Sequence, residues 1–271
     1  MMKLKMKNGK LKMGGLGKKL SILNFQLSII FAFSIFNSQF SIALGAVTFD
    51  AVTTIGDSDG DDTISGTHSV GGGCVNPILI ATITWKANPA QTISSVGATA
   101  GGMTAVGTQI MVGSDQHAVA MYYRVGAGGS QTVTVNFAGV IDLGTMAIRS
   151  YCGVDAGTPT GTAVTATGDF NATNPSVNVS SVAGDWVIDV VDLWGDPAAT
   201  LTVGAGQTQR DNFYENRDSH VRADSDEVAA GTTTTMSWTK NVNNTWAMVG
   251  VALKASAGAP PAKRRMVVVV Q

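Results

Sequence analysis

Histidine is scarce in this chain, and its placement gives no sequence warrant for a zinc centre. His68, His117 and His220 stand far apart, outside any His-x-x-x-His or Cys-x-x-Cys setting. Each is expected on the surface of a strand. Also missing are a Gly-x-Ser-x-Gly elbow, a phosphate loop and a dinucleotide fingerprint, so the usual signatures of a serine hydrolase, an NTPase or a nicotinamide enzyme are absent. Beyond residue 47 there is almost no long helical periodicity, which excludes a helical bundle. No Pro-rich or charged run divides the body, and no self-similarity appears at the period of a solenoid or propeller.

Acidic residues are missing from the first forty-six positions, which instead hold seven lysines. An apolar stretch follows from about Leu20 to Leu44 and closes on Ala43-Leu44-Gly45-Ala46. A basic n-region, a Phe/Ile-rich h-region and a small-residue exit in that order predict a helical signal peptide over residues 1–46. A retained anchor is the alternative, weakened by Asn37-Ser38-Gln39 in mid-stretch. Without this segment eleven basic residues face nineteen acids, a net charge of −8. Such a surface repels phosphate backbones, which argues against nucleic acid, and suits a secreted or cell-surface protein or one that takes up cations.

Cysteine is limited to Cys74 and Cys152. In an oxidising compartment the pair is expected as a disulfide closing a long loop, with two separate thiols as the alternative.

Residues 47–254 are rich in Thr, Val, Ser and Gly, and turn residues recur every 8–12 positions. This spacing predicts about fifteen short strands in an all-β, two-sheet antiparallel β-sandwich. Thr132–Phe137 alternates polar and apolar residues, as a half-buried strand does. Ile78–Ala81 and Trp246–Leu253 are apolar almost throughout and are expected to be covered on both faces. Residues 255–271 read as a flexible Ala/Gly/Pro linker, a basic triplet and the apolar run Val267–Val270.

Asn76-Pro77-Ile78-Leu79-Ile80, Gly184-Asp185-Trp186-Val187-Ile188-Asp189, Gly204–Arg210 and Met236-Ser237-Trp238, with Trp246–Lys254, give the body a resemblance. It is similar to secreted bacterial β-sandwich domains that occur within larger surface or adhesin-like proteins. The resemblance implies a jelly-roll-like sandwich and carries no catalytic residue.

Several groups could carry chemistry. Asp57, Asp59, Asp61 and Asp62 surround Gly60 in the spacing that opens a calcium loop, but Gly66 stands where an EF-hand needs its closing acid. An improvised Ca²⁺ site or a polar hairpin fits this run. The Asp211–Glu227 region mixes charges and aromatics: Phe213, Tyr214, Arg217 and His220 form a candidate binding surface, and a solvated hairpin with internal ion pairs is the alternative. Of five tryptophans, Trp194 lies at a turn and is the candidate for stacking on a sugar, while the others read as core. Asp185, Asp189 and Asp192 lie around one strand, and alternation sends Asp189 to solvent.

The expectation is a non-catalytic extracellular binding or adhesion module whose ligand is a carbohydrate or another cell-surface component. A structural subunit that self-associates through Val267–Val270 is the second reading. A polysaccharide-active enzyme is the third.

Overall fold

The computed structural model describes residues 46–107, 110–112, 117–172, 174–195, 198–215 and 220–256, with the backbone alone at 57, 58 and 110–112. Residues 1–45 of the expected signal segment, Arg217 and residues 257–271 of the tail lie outside the described residues. Among those residues there is no helix, and so none long and apolar enough to cross a membrane.

The described residues are all-β. Its first ten strands are β1 (Thr48–Ser58), β2 (Thr63–Val70), β3 (Ile78–Lys86), β4 (Ile93–Ala98), β5 (Gly101–Gly102), β6 (Thr104–Ala105), β7 (Ile110–Val112), β8 (His117–Val125), β9 (Gly129–Phe137) and β10 (Leu143–Cys152). Eight more follow: β11 (Val164–Gly168), β12 (Ser176–Ser180), β13 (Trp186–Trp194), β14 (Leu201–Val203), β15 (Thr208–Glu215), β16 (His220–Val228), β17 (Thr233–Lys240) and β18 (Thr245–Leu253). The apolar pattern of Met103–Val112 reads as one strand but forms two. Gly107, at φ +72°, turns the backbone between β6 and β7, and both then pair with β8.

The strands build four antiparallel sheets. A six-stranded sheet runs β1-β10-β3-β8-β6, with β7 also on β8, and faces a four-stranded sheet β2-β9-β4-β5. A five-stranded sheet, β11-β18-β13-β16-β15, faces a three-stranded sheet, β12-β17-β14. Two-sheet packing therefore occurs twice. Leu79, Ala81, Ile83 and Trp85 of β3 meet Val133, Val135 and Phe137 of β9 in the first core. Val187, Val191 and Leu193 of β13 meet Val177, Val179, Met236 and Trp238 in the second.

A third core joins the two large sheets back to back. Ile78, Ile80, Val119, Met121 and Tyr151 pack there against Ile188, Val190, Val249, Val251 and Leu253. This explains the unbroken apolar runs: β3 sends alternate side chains into the first and third cores, and β18 into the second and third. Full burial of one such side chain is worth about 1.5–3 kcal/mol.

The chain order within the sheets also repeats. Replacing β1, β10, β3 and β8 by β11, β18, β13 and β16 converts one large sheet into the other, and β2-β9-β4 maps onto β12-β17-β14 in the same way. Register follows: Ile78 pairs with Val125 and Tyr151, as Trp186 pairs with Val228 and Leu253. The protein is two copies of one sandwich topology sharing a central core. The Cys74–Cys152 disulfide lies wholly in the first copy, tying the β2–β3 connection to the end of β10.

Candidate functional site

The shared core is apolar along β18 and charged along β16. His220, Arg222, Asp224 and Asp226 point from β16 towards the six-stranded sheet, while Val221, Ala223 and Ser225 face the other way. From sequence this alternation reads as a solvated hairpin; in the structure His220 to Asp226 are all buried. The reason is the second large sheet, which covers the polar face and brings its own charge, Arg149 of β10. Arg149 is fully buried, donates to the carbonyls of Ser225 (3.1 Å) and Asp189 (2.9 Å), and pairs with Asp224 at 3.2 Å. Arg222 bonds Asp224 (3.2 Å) and Asp211. Arg210 bonds Asp226 at 2.6 Å, and Tyr151 donates to the same oxygen at 3.0 Å. Three guanidinium groups thus face three carboxylates. Burial opposes the Arg149 charge, but Tyr151, Asp224, Asp226 and Asp189 around it hold its pKa above the ordinary value.

Asp189 is not at the surface, contrary to the expectation from alternation. Its face of β13 is roofed by the three-stranded sheet, where it accepts from the Ser225 N–H and hydroxyl (2.8 Å each) and from Trp238 Nε1 (2.9 Å). Burial pushes its pKa up to about 6, against the effect of those donors and of Arg149. Asp185 bonds Lys254 at 2.6 Å.

The histidines are also buried rather than on strand surfaces. His68 sits between Thr53 Oγ1 and Ser150 Oγ, each at 2.9 Å, and Ser150 donates to Asp50 at 2.7 Å. With its proton given to Asp50, Ser150 accepts from His68 Nε2, and Nδ1 accepts from Thr53. A hydrolytic triad requires the opposite order, with histidine taking the serine proton and the carboxylate on the far ring nitrogen. The set ties β1, β2 and β10 together, and burial lowers the His68 pKa against the pull of Asp50.

The other two histidines come together with Asp192. His117 opens β8, His220 opens β16, and Asp192 lies near the end of β13. Asp192 contacts His220 Nε2 directly and stands 3.8 Å from His117 Nδ1. Trp194 stacks on His117 with ring centroids 4.2 Å apart, and its indole N–H is buried. Trp194 is therefore a wall of this cluster rather than an open platform. Burial drives the His117 pKa down to about 2, helped by His220 and Lys86, so the ring is neutral. Imidazole nitrogens and a carboxylate are ligands for a divalent transition metal.

Sequence reading missed this group because its members lie on three strands of both copies. One signal was present: Asp115-Gln116-His117 precedes Val125-Gly126-Ala127-Gly128 at the spacing by which Asp218-Ser219-His220 precedes Val228-Ala229-Ala230-Gly231.

The remaining candidates are dispersed. Asp59, Asp61 and Asp62 are exposed at the β1–β2 turn, and the side chain of Asp57 lies outside the described residues. Asp61 and Asp62 use their carbonyls to accept from Ile141 and Phe137, and among the described side chains these acids form no convergent ligand group. Phe213 is half-buried under the Arg222 guanidinium at 5.9 Å, and Tyr214 is exposed on edge strand β15. Trp85, Trp238 and Trp246 are core residues.

Fold and site define an all-β double sandwich with a disulfide in its first copy, and the disulfide is compatible with an extracellular location. No protein-family model matches the chain, and no curated protein or solved structure matches it.

Proposed function

We propose that the protein is an exported, non-catalytic recognition module that binds a neutral carbohydrate on the outer face of its four-stranded sheet. The observation that carries this reading is a shallow groove of about 420 Å³ lined by Ser95, Val96, Gly97, Ala98, Thr99, Gly102, Thr132, Thr134 and Asn136, with no charged side chain. Its floor is glycine: a Cβ at Gly97 would meet nothing within 4 Å. A glycine inside a strand marks a place where another molecule can approach the backbone closely.

Hydroxyls and an amide form the walls. Thr132 bonds Thr67 (3.1 Å), Thr134 bonds Ser65 (3.0 Å) and Asn136 donates to Ser95 (2.9 Å). Arg124 fixes the rim by donating to the carbonyls of Ala100 (2.9 Å) and Gly102 (3.1 Å). Neutral donors and acceptors at fixed spacing match sugar hydroxyls better than anions or apolar ligands. The commitment of Asp185 and Asp189 to internal bonds favours binding over hydrolysis, which needs two carboxyl groups facing one glycosidic bond.

Glycan-array screening followed by calorimetry tests the reading, with Gly97→Val as the discriminating variant. Valine fits the strand and fills the groove, so affinity for the captured glycan falls at least about tenfold while the melting temperature holds. Failure to capture any glycan, or equal binding by G97V, refutes the assignment.

A further inference from the structure

His117 and His220 occupy matching places in the two copies. His117 pairs with Lys86 at the end of β3, and His220 pairs with Trp194 at the end of β13. Each histidine thus opens the equivalent strand of its copy, and the two rings meet across the shared core with centroids 5.9 Å apart. Asp192 lies against both.

All three side chains are within 1% of complete burial. Their ligand atoms lie within 4.8 Å of one another. Among the described residues neither nitrogen of His117 has a hydrogen-bond partner, and neither does Nδ1 of His220. Leaving one buried polar group unsatisfied costs about 1–3 kcal/mol, and native proteins rarely leave such groups without water or an ion. The unpartnered Nδ1 of His117, 3.8 Å from a buried carboxylate that already holds His220 Nε2, therefore points to a missing cation. Two imidazoles and one carboxylate suit a borderline ion such as Zn²⁺, whereas Ca²⁺ requires six or more oxygens. Ligands around one tetrahedral zinc, with bonds of about 2.0–2.2 Å, stand about 3–3.5 Å apart. Asp192 stands 3.8 Å from His117 Nδ1, close to that separation, and in direct contact with His220 Nε2, while the stacked Trp194 ring holds the plane of His117.

We propose that His117, Asp192 and His220 bind one divalent ion of the zinc class, a clamp holding the first copy to the second at one end of their shared core. Three protein ligands leave a fourth position for water or for a donor from outside. The site is independent of the carbohydrate groove, which lies on the outer sheet.

The test uses the full protein, stripped with chelator and titrated with Zn²⁺ by calorimetry and with Co²⁺ by visible absorption. Expected are one tight site per chain, the visible bands of tetrahedral Co²⁺, and a higher melting temperature in the metal-loaded form. X-ray absorption of the zinc-loaded wild type needs no variant and is expected to show two imidazoles with nitrogen and oxygen scatterers at about 2.0–2.1 Å. His117→Gln and Asp192→Asn, with folding checked by circular dichroism, are expected to weaken binding by more than about a hundredfold, the upper range for losing a group that only supports a ligand. No stoichiometric binding, a first shell without imidazole, or unchanged affinity in folded variants overturns the assignment.

Discussion

Arg149→Met is the sharpest perturbation of the shared core. The native guanidinium has no exposure, bonds two carbonyls of the second copy and pairs with Asp224, in a cluster that balances Arg149, Arg210 and Arg222 against Asp211, Asp224 and Asp226. Methionine keeps much of the volume but leaves one carboxylate in excess and two carbonyls without their donor. Breaking a buried ion pair from one side costs about 3–5 kcal/mol, which is a large part of the 5–15 kcal/mol typical of a folded domain. With a urea m-value of about 2–3 kcal/mol/M, the midpoint falls by about 1–2.5 M. Arg149→Met combined with Asp224→Asn removes both charges and is expected to recover at least about 1 kcal/mol in a double-mutant cycle. A midpoint for R149M within 0.3 M of wild type, roughly the linear-extrapolation error, would show that Arg149 is hydrated and that the copies do not meet there.

Other outcomes follow from single sites. Asp189 holds its proton more tightly folded, near pH 6, than unfolded, so its contribution is full below about pH 4 and is lost as the pH rises through 6. As the pH rises across that interval the urea midpoint of wild type is expected to fall towards or below that of Asp189→Asn, wild type losing roughly 3 kcal/mol more; parallel profiles would show Asp189 to be solvated. Asparagine presents an N–H to Trp238 Nε1, so this variant is less stable by about 1–3 kcal/mol below pH 4, where the wild-type advantage is greatest. A Cβ at Gly168 would lie 2.2 Å from Trp246 Nε1, and the buried ring cannot yield, so Gly168→Ala lowers stability by about 1–3 kcal/mol in the same assay. Reducing Cys74–Cys152, which spans 78 residues, is expected to lower the unfolding free energy by about 2–4 kcal/mol, read from urea titrations with and without reductant.

Strands, disulfide and most tryptophans were legible in the sequence because they depend on local pattern and compartment. Val133, Val135 and Phe137 alternate with polar residues and face the first core, as their spacing indicates. Burial of Arg149, Asp189, Arg222 and Asp224 was not legible. Period-2 alternation identifies two faces but not how many sheets cover them, and here each large sheet is covered twice. The duplication was hidden for a related reason. Equivalent positions carry different side chains, Ile78 for Trp186 and Tyr151 for Leu253, because each copy packs against the other and not against itself. What survives are turn residues such as Asn88-Pro89-Ala90 and Asp196-Pro197-Ala198, with the paired Asp-x-His segments. The sequence draws attention to the β15–β16 segment because a charged, aromatic stretch resembles a binding loop, whereas the groove at Gly97 leaves no such signal, being lined by small and uncharged residues.

The central claim is that two sandwich copies share one core and fold as a unit, and scanning calorimetry of the full protein tests it most directly. A shared third core predicts one endotherm whose calorimetric and van't Hoff enthalpies agree, with coincident transitions by tryptophan fluorescence and far-ultraviolet circular dichroism. Two resolved transitions, with Arg149→Met moving only one of them, would show that the copies are independent domains and would contradict the account.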